Sequence, residues 1–324
     1  MQIDIGELQK RGDVPTRIGF GRGLETIAEI DNRVVALGAD ITSSVSMNFF
    51  QARFPERFFS LGIAEQNIMG VAAGMALSGK IPFAATYGVF SALRTTDQIR
   101  VSICYNNIPV KIGGAHAGIS VGPDGATHQA LEDIAVMRAL PNMTILSPCD
   151  ATQAAQATEA AVTQVPGPAY IRFGREAVPD FIPEDLPFVP GKAQKLKDGS
   201  DLTLIATGHM IWEALQAAKI LDKEGIHVSV LNIHTIKPLD SQAIIKAAES
   251  TGVIVTVEEH QLFGGLGSAV AEVLAQQFPV PMAMVGMPDC FGESGTPEQL
   301  LKKYGLHAQN IAAVAKNKLQ KIKS

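Results

Sequence analysis

The sequence predicts two doubly wound α/β domains, each built on a mostly parallel sheet. Three observations carry this. Short apolar, β-rich runs alternate with longer helical patterns along the chain, the signature of βα units. The segment VPDFIPEDLPFVPG at 178–191 carries four prolines and reads as an extended linker, after which the alternation restarts. A length of 324 residues with 46% hydrophobic content exceeds what one core usually holds.

In chain order, strands are expected at 33–38, 81–86, 110–114, 143–147 and 169–173, where apolar runs are too short for helices. Helical patterns fall between and around them, at 19–30, 65–78, 95–105, 129–140 and 151–162. The helix at 65–78 is almost entirely small and apolar, which predicts burial on all sides. Beyond the linker, strands at 201–207, 227–232, 253–258 and 282–285 accompany helices at 210–223, 241–250, 267–277 and 310–321. The first domain is therefore set at 1–180, the linker at 181–195 and a smaller second domain at 196–324.

Composition excludes several function classes. Net charge is −5, from 27 Lys and Arg against 32 Asp and Glu, and no basic run could track phosphates, so nucleic acid is not an expected partner. Cys104, Cys149 and Cys290 lie far apart with no CxxC pair, which argues against a disulfide framework or thiolate zinc site. The N-terminus MQIDIGELQKRGDV lacks the apolar stretch of a signal peptide, and no run of about 18 apolar residues could span a bilayer. A cytoplasmic protein with no membrane contact is expected.

Chemistry concentrates at two places. Glu65 heads the apolar helix, and a buried carboxyl must find a partner or hold a proton. It is a candidate proton-handling residue; the alternative is a carboxylate bonded to amides of its own helix start. The loop GGAHAGISVGPDGATHQ at 113–129 follows an apolar strand and precedes a helix, the sheet edge where ligands bind. It carries five glycines with His116, Asp124 and His128, a set suited to acid/base work or phosphate contact. A solvated, helix-capping loop is the alternative there.

Single residues at strand ends complete the candidates. Arg175 follows a strand and could reach an anion, whereas Arg172 falls within that strand as a structural or edge residue. Arg17 opens the first helix, Asp40 and Ser44 follow the next strand, and Tyr87 and Phe90 offer aromatic faces to a planar ring. The glycine cluster at 263–267 lacks the GxGxxG order, which rejects a nicotinamide site, and neither a P-loop nor GxSxG is present. His209, His234, His260 and His307 are scattered and expected to be mostly solvated or capping.

Together the segments LGIAEQN, HAGISVGPDGATHQ, PNMTILSPCD, GPAYIRFGRE and FGESGTPEQLL at 291–301 resemble the C-terminal half of transketolase over nearly the whole chain. Deoxyxylulose-phosphate synthase shares GIAEQ and DGxTHQ, but FGESG and His116 are more similar to transketolase. The resemblance implies a pyrimidine-binding domain followed by a C-terminal domain, and thiamine diphosphate as cofactor. It puts Glu65 where the family's glutamate bonds the aminopyrimidine, making Glu65 and His128 the catalytic pair. Tyr87 and Phe90 match the aromatic wall beside the pyrimidine, and Asp40 a nearby acid. His128 and Asp124 match residues on the sugar hydroxyls, and His116, Arg17, Ser44 and Arg175 match the substrate-phosphate group. Leu93 stands where the family often has a further aromatic.

The family's GDG…N motif, which holds Mg²⁺ and the diphosphate, is absent from this sequence. The resemblance therefore implies a C-terminal subunit of a split transketolase. A separate N-terminal subunit would bring the diphosphate-binding domain and most of the Mg²⁺ site. Self-association to α2β2 and sugar phosphate substrates are expected. The rival readings are a deoxyxylulose-phosphate synthase-like subunit, a 2-oxoacid dehydrogenase β subunit, or a non-catalytic scaffold.

Overall fold

A computed structural model describes residues 9–323. Residues 1–8, which open the stretch read as lacking a signal peptide, lie outside the described residues. The first half of the chain forms strands β1 (Gly12–Pro15), β2 (Val34–Gly38), β3 (Phe58–Ser60), β4 (Ile81–Tyr87), β5 (Lys111–Ala115), β6 (Thr144–Leu146), β7 (Ala169–Arg172) and β8 (Ala177–Asp180). The second half adds β9 (Gln194–Lys197), β10 (Leu202–Ala206), β11 (Val228–Asn232), β12 (Thr235–Lys237), β13 (Ile254–Gln261) and β14 (Met282–Met287).

These strands build a seven-stranded sheet in the order β12-β6-β7-β5-β4-β2-β3 and a five-stranded sheet in the order β14-β13-β10-β11-β9. Both are parallel apart from one antiparallel edge strand each, β12 and β9. The expected doubly wound α/β architecture is present, and the central strands are the apolar runs that both-face burial requires. β12 was not legible: three residues are too few for a periodic signal. It comes from the second half of the chain yet pairs with β6, Thr235 facing Leu146. One apolar cluster accordingly runs from Leu37 and Ile112 through to Leu231, Ile236 and Ile254.

Three expectations need correction. The proline-rich segment, read as an extended linker, is extended at β8 but is packed: β8 pairs with β1, and Phe181, Ile182, Leu186 and Phe188 are buried. The helix Glu65–Leu77 buries Ile68, Met69, Ala72, Ala73 and Ala76 but exposes Gln66, Asn67, Gly70, Gly74 and Leu77. Expected burial on every side is therefore wrong for this chain by itself; apolar content marks the helix but not its neighbours. The helix expected at 95–105 begins earlier, as π-helical turns at Val89–Arg94 and Ile99–Cys104 around a short α-turn, Thr96–Gln98. Such i→i+5 turns leave no mark on a 3.6-residue period.

Close backbone approach fixes the start of the chain against the sheet. The helix Thr16–Ile30 lies on the helix Ala151–Thr163 so tightly that a Cβ on Gly19 would meet the Ala151 carbonyl oxygen at 1.9 Å. This contact holds Arg17 beside the loops that follow β2 and β7. Among the described residues no helix is long and apolar enough to cross a membrane.

Candidate functional site

The sheet order reverses between β2 and β4: the chain leaves β2 for the edge strand β3 and returns to β4 on the other side. At such a switch point the loops at the carboxyl ends of the strands diverge and leave a crevice. All the strand-end candidates sit there. Asp40 and Ser44 follow β2, Tyr87 ends β4 with Phe90 after it, His116 follows β5 and Arg175 follows β7.

Four rings pack together in the crevice. Tyr87 lies 4.4 Å from His116 and 5.8 Å from His128 between ring centroids, and Phe90 lies 5.4 Å from His128. His116 holds a positive φ of 55°, a strained setting for a residue with a ring side chain. It is 3% exposed, and its Nδ1 has no hydrogen-bond partner among the described residues. Burial pushes its pKa down to about 4, with the nearby Arg17 and Arg175 charges adding to the effect. At neutral pH His116 is thus an uncharged imidazole with an unused polar atom.

The cations stand around it. Arg17 donates from Nη1 to the carbonyl oxygen of Ser44 at 3.0 Å, and its buried Nε has no partner among the described residues. Arg175 donates to Asp124 Oδ1 at 3.0 Å and to the Val121 carbonyl at 3.3 Å. Thr127 Oγ1 lies 2.9 Å from His128 Nδ1. Asp40 is exposed with a φ of 61°, and its carboxylate is joined to none of the other candidates.

The second half of the chain braces the glycine-rich loop from behind. Ser120 N–H donates to Glu259 Oε1 at 2.5 Å, and Gln129 donates to the carbonyl oxygen of Glu293 at 2.8 Å. Gly118 adopts a φ of +91°, and a Cβ there would fall 2.1 Å from Glu259 Oε2. Beneath the loop, Arg172 Nε and the Tyr170 hydroxyl both donate to Asp133 Oδ2 at 2.8 Å. Arg172 also reaches the carbonyl oxygens of Ala130 and Glu259. It is structural as expected, but in an interior strand rather than at an edge.

Glu65 is 3% exposed, and its partner is a guanidinium rather than the amides of its own helix start. Arg94 Nη1 donates to Glu65 Oε2 at 2.9 Å, while the Arg94 guanidinium carbon sits 4.2 Å from the Phe90 ring centroid. This contact joins Glu65 to the ring cluster.

Sequence reasoning missed Arg94, Glu259 and the Asp133–Arg172 pair. Arg94 stands four residues after Phe90, a one-turn spacing that could have drawn attention. Glu259 carried no local signal. The scattered histidines also need correction, because His234 and His260 are fully buried. His234 lies 4.1 Å from the Phe188 ring, and His260 Nε2 accepts from Ala135 N–H at 3.3 Å.

Residues 13–180 match the transketolase pyrimidine binding domain and residues 191–311 the transketolase C-terminal domain. The chain is 42% identical to the 6-deoxy-6-sulfo-D-fructose transketolase subunit SqwH of Clostridium sp. (strain MSTE9), covering 89% of each chain. It is also 42% identical to an apulose-4-phosphate transketolase subunit of Phocaeicola vulgatus, covering 93% of this chain and 96% of that one. A solved structure described as a split gene transketolase, inactive beta4 tetramer, superposes with a TM-score of 0.89 at 46% identity, covering 95% of this chain and 99% of that one.

Proposed function

The chain belongs to the transketolase family, and on that premise we propose that it is the C-terminal subunit of a two-chain transketolase that moves a two-carbon ketol unit between sugar phosphates. The partner is a separate chain carrying the diphosphate-binding domain, and two copies of each assemble as α2β2. Subunit names among the relatives support this reading, as does the superposition on a split-gene subunit. It is read as a cytoplasmic enzyme, since its three cysteines form no disulfide and suit a reducing compartment.

The observation that carries the reading is a buried carboxylate, Glu65, joined through the Arg94 guanidinium to the Phe90 ring, which packs with Tyr87 at the end of β4. That donor set fits the planar aminopyrimidine of thiamine diphosphate, a ring that offers N–H and ring-nitrogen groups at its edge. When bound, the cofactor supplies the electron sink that cleavage beside a carbonyl requires. Among the described residues no three His, Cys, Asp or Glu side chains gather as a metal site. Mg²⁺ and the diphosphate are assigned mainly to the partner.

The chain's own residues then divide the work. Glu65 would hold the ring nitrogen through a shared proton, with burial keeping water from competing for it. Tyr87 and Phe90 would supply the aromatic wall for the ring, and Asp40 a nearby acid. His128 and Asp124 face the sugar hydroxyls, and His128 moves protons there. Arg17, Ser44, His116 and Arg175 surround the substrate phosphate, with guanidinium geometry suited to its oxygens.

The test is reconstitution with the separately encoded chain that carries a GDG…N motif, assayed with a ketose phosphate or pyruvate as donor. Turnover of the ketose phosphate is expected. Glu65→Gln should abolish it and leave assembly intact, and near-normal turnover in that variant would remove Glu65 from its role. Preference for pyruvate would replace the transketolase reading with a synthase one.

A further inference from the structure

Glu65 and Phe90 are two of the groups that the functional reading assigns to the cofactor ring, and in this chain both already hold a planar cationic group. The Arg94 guanidinium donates to Glu65 Oε2 at 2.9 Å with one edge and lies over the Phe90 ring at 4.2 Å from its centroid. A guanidinium is flat, delocalised and rich in N–H donors, so it meets a carboxylate edge and an aromatic face together. An aminopyrimidine bonded to that carboxylate edge and laid on that ring face would take the guanidinium's place.

We propose that Arg94 is a positioning residue that acts as a placeholder: it fills the pyrimidine's place between Glu65 and Phe90 until cofactor displaces it. This inference rests on the functional reading of Glu65. The geometry allows the exchange. The Arg94 side chain is 46% exposed while that of Glu65 is 4% exposed, so the arginine can swing out while the carboxylate stays in place. Its backbone is held separately, by a bond from the Gln66 amide to the Arg94 carbonyl oxygen. Withdrawal therefore requires only side-chain rotation. The placeholder also gives the buried carboxylate a partner before assembly, when leaving it bare would destabilise the chain.

The experiment is calorimetric titration of thiamine diphosphate with Mg²⁺ into the reconstituted two-chain complex, using wild type, Arg94→Ala, Glu65→Gln and the double variant. Arg94→Ala should bind the cofactor about fivefold more tightly, which is about 1 kcal/mol, because nothing must be displaced. In the Glu65→Gln background the same substitution should change affinity by less than about twofold, since no ion pair remains to break. Arg94→Ala should also lower the melting temperature of the cofactor-free complex while leaving the saturated complex unchanged. Unchanged or weaker binding by Arg94→Ala, with wild type binding normally, overturns the placeholder and leaves the functional reading standing. An equal gain in both backgrounds also overturns it. A wild-type complex that takes up no cofactor overturns the functional reading and this inference with it.

Discussion

Gly118 and Glu259 approach so closely that a Cβ on the glycine would lie 2.1 Å from the glutamate's Oε2. The carboxylate fills the space because it accepts the Ser120 N–H, tying the loop to β13. Gly118→Ala should lose about 2 kcal/mol or more, from the clash and from a φ of +91° that alanine resists. Denaturant midpoints at constant slope measure it. Adding Glu259→Ala removes the clash, so the double variant should lose less than the two singles summed. Strict additivity would mean the glycine serves only its backbone angle.

The Asp133–Arg172 pair is almost wholly buried, at 0% and 7% side-chain exposure. Removing one member strands the other charge, so Asp133→Leu should cost about 3–5 kcal/mol in equilibrium unfolding. Adding Arg172→Met should restore part of that, but not all. Arg172 also donates to the carbonyl oxygens of Ala130 and Glu259, and those bonds would still be lost. A single-variant cost below about 1 kcal/mol would show that water reaches the pair.

Much of this arrangement was legible because chemistry in a parallel sheet gathers at strand ends. Tyr87, His116 and Arg175 each end or follow a short apolar run, and the glycine spacing of GISVGPDG marked the loop between them. What escaped was long-range. Glu259 meets Ser120 from another sheet, and β12 crosses into the first sheet with three residues. Arg94 was hidden for a different reason: its spacing from Phe90 was a faint signal, and π-helical turns rather than an ordinary helix set its direction. The buried His234 and His260 were misjudged because burial of a lone histidine depends on partners such as Phe188 that are distant in sequence.

Burial gives His116 a pH signature. Its folded pKa, about 4, lies below the unfolded value near 6.5, so the unfolded chain takes up the proton first as pH falls. The stability this residue contributes is present above pH ~6.5 and is lost between there and pH ~4, by up to about 3 kcal/mol. Glu258 and Asp150, raised by burial to about 7 and about 6, act in the opposite sense on the whole curve. The readout is therefore a difference. His116→Asn, which tolerates a positive φ, should show a shallower acid loss than wild type and a parallel curve above pH ~6.5. Parallel curves through the acid range would contradict the burial assigned to His116.

Arg175 tests the anion side of the site. Its guanidinium is held by Asp124 and the Val121 carbonyl, aimed along the loop that carries His116 and His128. A phosphate that stays bound from ground state to transition state gains uniform binding from such a group, which appears in KM rather than kcat. Arg175→Ala in the reconstituted complex should therefore raise KM for a phosphorylated donor about tenfold to a hundredfold, the worth of a charge-assisted hydrogen bond. The kcat should change far less, and KM for the unphosphorylated sugar should barely move. Arg17→Ala should behave alike, because its charge lies close enough to act on His116 and its buried Nε has no partner among the described residues. Equal losses on both substrates would assign the arginines to loop structure, and an unchanged KM would remove them from the phosphate site.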